Sequence, residues 1–215
     1  DFYNQNFENY DNTIYEKIET RLAHLLNYFE KDNWFNQRFK EYKKILLKNP
    51  NSNIIEIGYG LPYMQIESIN TSNLNFIYID SYKSAEIISK KILKFLEKNA
   101  YLITSNLNSN LFKLIQEKQN PNLKTYLITI ETLEHLEHPQ NFWKLAHKIK
   151  PEKILITLPI GPKIPSHHSY FENQEKAIKY VEQNMNILST QNISPQTISN
   201  SELDKYSVQT FVGSI

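Results

Sequence analysis

The strongest constraint on this chain is an alternation of two patterns. From residue 53 onward, short apolar runs take turns with amphipathic stretches. Asn53–Ile57, Leu74–Ile79, Tyr101–Thr104, Thr125–Ile130 and Lys153–Leu158 have strand length and composition. Helical patterns separate or follow them: a short piece reaching toward Ile69, then Ala85–Lys98, Asn110–Lys118, Pro139–Lys148 and Asn173–Asn184. In Ala85–Lys98, for example, Ile88, Ile92 and Leu96 recur at helical spacing. Such alternation implies βαβ units around a parallel sheet, with right-handed crossovers. Two further runs, Met185–Ile193 and Ser207–Ser214, close the chain and read as a terminal antiparallel pair. The expected fold is therefore α/β: a doubly wound, mostly parallel seven-stranded sheet preceded by N-terminal helices.

Length fits one such unit, since 215 residues support one substantial core. Ile14, Ile18, Leu22, Leu25 and Phe29 share one helical face, and Trp34 to Lys48 reads as a second helix. Residues 1–48 are expected to form a helical arm or lid, with Phe2, Tyr3, Phe7, Tyr10, Trp34 and Phe35 as its aromatic surface. Residues 49–215 are expected to form the α/β domain. Lys and Arg number 24 against 23 Asp and Glu, so bulk charge gives no reason to expect nucleic-acid or membrane binding. There is no cysteine, which excludes disulfide and thiolate chemistry and fits a cytoplasmic protein. No apolar run is long enough to cross a bilayer, and the first residues lack the layout of a signal peptide.

In an open parallel sheet, ligands sit beyond the C-terminal ends of the strands. Three such ends here carry glycine or polar residues: Glu56-Ile57-Gly58-Tyr59-Gly60, Asp80-Ser81-Tyr82, and Glu131-Thr132-Leu133-Glu134-His135. Glycines at 58 and 60 let the backbone turn sharply and approach a ligand. Asp80 ends the next strand, where a carboxylate can accept hydrogen bonds from both ribose hydroxyls. This spacing fits either a dinucleotide or S-adenosylmethionine. A dinucleotide fingerprint needs a third glycine three residues after Gly60, and Tyr63 stands there. That argues against a nucleotide-dependent oxidoreductase. Glu56 lies inside the first strand's end, where an uncompensated carboxylate is costly. It is expected to contact backbone amides or a cofactor amino group.

The run Glu131-Thr132-Leu133-Glu134-His135-Leu136-Glu137-His138-Pro139, the Lys150-Pro151 turn and the strand ending Thr157-Leu158-Pro159 resemble the class I S-adenosylmethionine-dependent methyltransferases. The likeness is greatest to the branch with ubiquinone-biosynthesis O-methyltransferases, and it spans about residues 50 to 160. It implies an enzyme in which Glu56, Gly58 and Gly60 hold the methionine part of S-adenosylmethionine and Asp80 holds the ribose. By the same resemblance, Ser105 and Asn106 meet the adenine and Glu131 lines the acceptor pocket. Where the family carries a further glycine, this chain has Leu61-Pro62. The implied acceptor is a small molecule or metabolite; a binding module that lost turnover is the non-enzymatic alternative.

Methyl transfer from a sulfonium is an in-line displacement, so the protein mainly aligns the acceptor and excludes water. A hydroxyl acceptor also needs a base or a metal. Glu131, Glu134 and His135 stand at i, i+3 and i+4, the spacing of one helical face. His167 and His168 follow the fifth strand, over the same end of the sheet. Glu131, His135 and His168 are the catalytic candidates. The segment also resembles the RNA 3′-end 2′-O-methyltransferases, in which two glutamates and two histidines bind a divalent metal. That resemblance implies Mg²⁺ or Mn²⁺ at Glu131, Glu134, His135 and one of the later histidines, His168 being the candidate, with RNA as acceptor.

Overall fold

A computed structural model describes residues 34–66, 73–108, 110–163, 166–193 and 207–215. The expected Thr13–Phe29 helix and the aromatic residues of positions 1–33 lie outside the described residues, as do 67–72. The elements run α1 (Trp34–Lys48), β1 (Ser52–Ile57), α2 (Tyr63–Ile66), β2 (Leu74–Asp80), α3 (Lys83–Phe95), β3 (Tyr101–Thr104), α4 (Leu111–Lys118) and β4 (Lys124–Ile130). A 3₁₀ turn at Leu133–His135 follows, then α5 (Gln140–Ile149), β5 (Lys153–Ile160), α6 (Gln174–Glu182), β6 (Asn186–Ile193) and β7 (Ser207–Ser214).

The sheet has seven strands in the order β3-β2-β1-β4-β5-β7-β6. β3, β2, β1, β4 and β5 pair in parallel, and β7 runs antiparallel to both β5 and β6. The mostly parallel doubly wound sheet and its terminal antiparallel pair are thus as the pattern of the sequence implied. The physical reason is burial on both faces. β1 is buried at every position, and successive residues of the parallel strands point to opposite apolar layers. On one face, Ile54, Phe76, Tyr78, Tyr126 and Leu155 pack against Phe39, Tyr42 and Leu46 of α1 and Ala85 and Ile88 of α3. On the other, Ile55, Ile77, Leu127, Ile156 and Phe211 pack against Leu111 and Ile115 of α4, Phe142 and Ala146 of α5, and Ala177 and Val181 of α6. Helix α1 therefore contributes core residues to the α/β unit.

Local chemistry sets several helix ends. Asn173 caps α6, its side-chain oxygen accepting the Lys176 N–H at 3.0 Å. Helix α5 stops where Lys150 turns left-handed (φ 51°) and returns its N–H to the Ala146 carbonyl. Among the described residues, no helix is long and apolar enough to cross a membrane.

The chain builds outward from β1 in two directions, toward β2 and β3 and then toward β4 and β5. The strand order therefore reverses between β1 and β4. The loops after these two strands flank the crevice where ligands of such sheets bind.

Candidate active site

The loop after β1 is shaped by two left-handed glycines, Gly58 (φ 70°) and Gly60 (φ 58°). Gly58 donates its N–H to the Ile79 carbonyl at 2.8 Å, carrying the β1–β2 pairing one residue past the strand. The Gly60 N–H donates to Asp80 Oδ2 at 3.0 Å, and the Tyr82 N–H to Asp80 Oδ1 at 2.9 Å. Asp80 is buried, and its carboxylate ties the β1 loop to the start of α3. Both carboxylate oxygens thus accept backbone N–H groups, one from each of the two loops. Ser105 follows β3 beside it and donates its N–H to the Asp80 carbonyl at 2.9 Å. Ser105 is half-buried and Asn106 exposed, at the edge of the crevice.

Glu56 is only 1% exposed, and its Oε2 has no hydrogen-bond partner among the described residues. Burial, and then the negative charge of Asp80, push its carboxyl well above the ordinary range. Tyr78, its register partner on β2, is equally buried, and its hydroxyl also lacks a hydrogen-bond partner among the described residues. Burial, then Glu56, then Tyr59 push the Tyr78 phenol upward too. The Tyr59 ring lies 4.9 Å from that of Tyr78. A buried acid with an unsatisfied oxygen at the end of β1 is a ready partner for a cation.

The loop after β4 is strained at its first residue. Glu131 is a non-glycine residue with φ 44°. Its N–H is held by the Thr157 carbonyl at 3.2 Å and by Thr157 Oγ1 at 2.9 Å. Thr132 has φ −128°, and the 3₁₀ turn begins only after it. The helical-face arrangement expected for Glu131, Glu134 and His135 is therefore not formed, because the chain is not helical at Glu131. Glu134 and His135 do meet, and the third member of their cluster is His167. The potential ligand atoms of Glu134, His135 and His167 all lie within 4.8 Å of one another. His168, the expected histidine, is exposed instead. The reason is backbone placement: the His168 and Ser169 N–H groups both donate to the Glu134 carbonyl, at 2.8 and 3.1 Å. That clamp presents His167 to the cluster.

The two imidazoles meet edge to face, with ring centroids 4.7 Å apart. His135 Nδ1 lies 3.1 Å from the Ser166 carbonyl, which can only accept, so Nδ1 carries the proton and Nε2 the lone pair. Burial lowers the His135 pKa, against the Ser166 hydrogen bond and aided by His168. Burial and the neighbouring His135 lower His167 to about 4. Both rings are therefore neutral at pH 7, able to act as bases or as ligands.

Sequence reasoning missed Thr132, whose side chain crosses from the β4 loop to Gly58. It did not single out Tyr78, which lies within the Leu74–Ile79 strand run. Thr157 lies in the Thr-x-Pro strand end that carries part of the resemblance, but no role was assigned to it; its hold on the Glu131 N–H is seen only in the structure.

No family model and no curated protein matches this sequence. Solved structures do match in fold. Phosphoethanolamine N-methyltransferase 2 of Haemonchus contortus, in complex with phosphomonomethylethanolamine and S-adenosylhomocysteine, is 12% identical with a TM-score of 0.66. That match covers 92% of this chain, which spans only 57% of that protein. The methyltransferase domain of bacterial CtHen1-CN is 17% identical over 85% of this chain and 100% of that one, with a TM-score of 0.58. The [4+2]-cyclase SpnF is 6% identical over 81% of this chain and 79% of its own, with a TM-score of 0.59. A cyclase among them makes plain that chemistry must be argued from the site. At these identities the likeness is one of architecture: the chain has the Rossmann-like fold of the S-adenosylmethionine-dependent methyltransferases.

Proposed function

We propose that this protein is an S-adenosylmethionine-dependent methyltransferase that methylates a hydroxyl group of a small molecule, in the manner of the ubiquinone-pathway O-methyltransferases. The observation that carries the reading is the pairing of Glu56 and Asp80 across the glycine loop at the switch point of the sheet. Glu56 offers a buried, unsatisfied carboxyl oxygen suited to the ammonium of the methionine part. Asp80 offers its buried carboxylate to the ribose hydroxyls, and Ser105 and Asn106 border the adenine side. S-adenosylmethionine, when bound, supplies the methyl group on a sulfonium. On the acceptor side, the neutral His135 or His167 imidazole would take the hydroxyl proton, with Glu131 facing the acceptor.

The test is calorimetric titration with S-adenosylhomocysteine. Wild-type protein is expected to bind it, and Asp80→Ala to weaken binding by about 1.5–3 kcal/mol, the range for hydrogen bonds to a charged group. Absence of binding to wild type, or equal binding by the variant, would overturn the assignment.

A second reading is favoured by the Glu134–His135–His167 cluster. Mixed oxygen and imidazole donors suit Mn²⁺ or Mg²⁺, as in the RNA 2′-O-methyltransferases that the segment resembles, and RNA is then the acceptor. The residues fit a metal in donor type, proximity and protonation. In that role the ion would lower the pKa of an acceptor hydroxyl. Mn²⁺ titration is expected to show binding near neutral pH that weakens as the pH falls toward 4, where His167 protonates. His167→Ala should abolish it, whereas His168→Ala should leave it. Undetectable Mn²⁺ binding at pH 7, or loss through His168 alone, counts against the metal.

A further inference from the structure

We propose that Thr132 is a positioning residue that transmits cofactor binding at the Gly58 loop to the acceptor side of the crevice. The inference rests on the methyltransferase reading and adds to it a mechanical link between the two halves of the site.

The link is a close steric fit. A Cβ placed on Gly58 would stand 2.2 Å from both Cγ2 and Oγ1 of Thr132, and 2.7 Å from its Cβ. The Thr132 side chain thus occupies the space that glycine leaves open. Its hydroxyl lies 2.9 Å from the Ile130 carbonyl and 3.3 Å from that of Gly58. The second distance is long for a hydroxyl hydrogen bond, so packing rather than hydrogen bonding carries the contact.

Thr132 is also the junction of the acceptor-side segment. It follows the strained Glu131, whose N–H is fixed by Thr157 on β5. Its carbonyl accepts the His135 N–H at 3.0 Å, closing the turn that presents Glu134 and His135. On the other side, Gly58 is two residues from Gly60, which is held by Asp80. An unbroken path therefore runs from the ribose-side carboxylate through Gly60, Gly58 and Thr132 to Glu131 and His135. Packed interiors transmit displacement because they contain little free volume. A ligand that confines the Gly58 loop confines Thr132, and with it the groups facing the acceptor. For an in-line displacement this spacing matters greatly, since a misplacement of about 1 Å can lower the rate about a hundredfold.

Hydrogen exchange, with S-adenosylhomocysteine as the probe, tests the link. In wild-type protein the ligand is expected to slow exchange at Gly60 and Leu61 and also at Glu131–Leu136. The effect should be at least about fivefold, the lower end of usual coupling strengths. In Thr132→Ala the slowing should persist at Gly60 and Leu61 and vanish at Glu131–Leu136. Thr132→Val, which keeps the volume and loses the hydroxyl, should restore it. Slowing confined to the β1 loop in wild type overturns the proposal, and so does an undiminished response in Thr132→Ala or a failed rescue by valine. The wild-type and valine arms retain their force if the alanine variant folds poorly. If calorimetry shows no binding at all, the methyltransferase reading itself falls. Binding without transmission overturns the Thr132 link alone.

Discussion

Gly58→Ala is expected to lower the unfolding free energy by roughly 2–5 kcal/mol and to abolish S-adenosylhomocysteine binding. Two independent effects add. The left-handed backbone at φ 70° costs a residue with a Cβ about 1–2 kcal/mol. The methyl group also collides with Thr132, and overpacking of this kind costs about 1–3 kcal/mol. The two parts separate in a double-mutant cycle. Thr132→Gly removes all three atoms that the new methyl would strike, so Gly58→Ala/Thr132→Gly should recover the overpacking part and leave the backbone part. Thr132→Ala should rescue less, because its Cβ still lies 2.7 Å from the added group. Urea unfolding of wild type, both single variants and the double variant gives the coupling energy directly. A fully stable Gly58→Ala protein, or purely additive changes, would show that this fit is not a constraint.

The same pair of residues marks where the sequence stops being legible. Strands and helices were readable because each signal is local. A run such as Asn53-Ile54-Ile55-Glu56-Ile57 has the length and branching of a buried strand, and Ala85–Lys98 has a helical period. Element ends moved by two or three residues, as at the Lys83 start of α3, which no side-chain cap marks, and at its Phe95 end, where Glu97 turns left-handed. The turn at Gly58 and Gly60 and the strand-end position of Asp80 were legible for a related reason. Glycine at a strand end reports backbone need, and an acid at the end of the next strand reports position in the topology. Gly58, however, suggested room for a ligand, whereas the atoms that fill its missing Cβ belong to Thr132, 74 residues away. No local pattern encodes that contact.

The histidines follow the same logic. The sequence placed His167 and His168 beyond the C-terminal end of β5, and the structure has them there. Adjacent residues leave an irregular loop in different directions, and the choice between them rests on the hydrogen bonds from His168 and Ser169 to the Glu134 carbonyl. Spacing likewise suggested that Glu131, Glu134 and His135 share a helical face. The left-handed turn at Glu131 depends on Thr157 of a neighbouring strand, a tertiary cause that i, i+3 arithmetic does not contain.

Glu56→Gln is expected to raise the stability of the ligand-free protein at neutral pH while weakening S-adenosylhomocysteine binding at least about tenfold, or 1.4 kcal/mol. In the folded state, burial and the Asp80 charge hold the Glu56 carboxyl well above its ordinary 4.5. The folded protein therefore keeps a proton over a pH range in which the unfolded chain has lost it. Stability must fall as the pH rises from about 4.5 through the folded-state value. Glutamine has no proton to lose, so the advantage of the variant should be small at pH 4 and grow toward pH 8. An unsatisfied buried charge costs about 1–3 kcal/mol or more, which sets the scale of the gain. The loss of affinity has the opposite origin. The ligand's ammonium is the counter-charge that makes an ionised Glu56 favourable, and a neutral amide gives it no ion pair. Stability would thus be traded for binding, as expected where a fold retains a strained acid for function. Urea unfolding at pH 4, 6 and 8, with calorimetry of both proteins, reads the two effects separately. Parallel stability profiles would show that Glu56 carries no burden in the folded state, and equal affinities would remove it from the cofactor site.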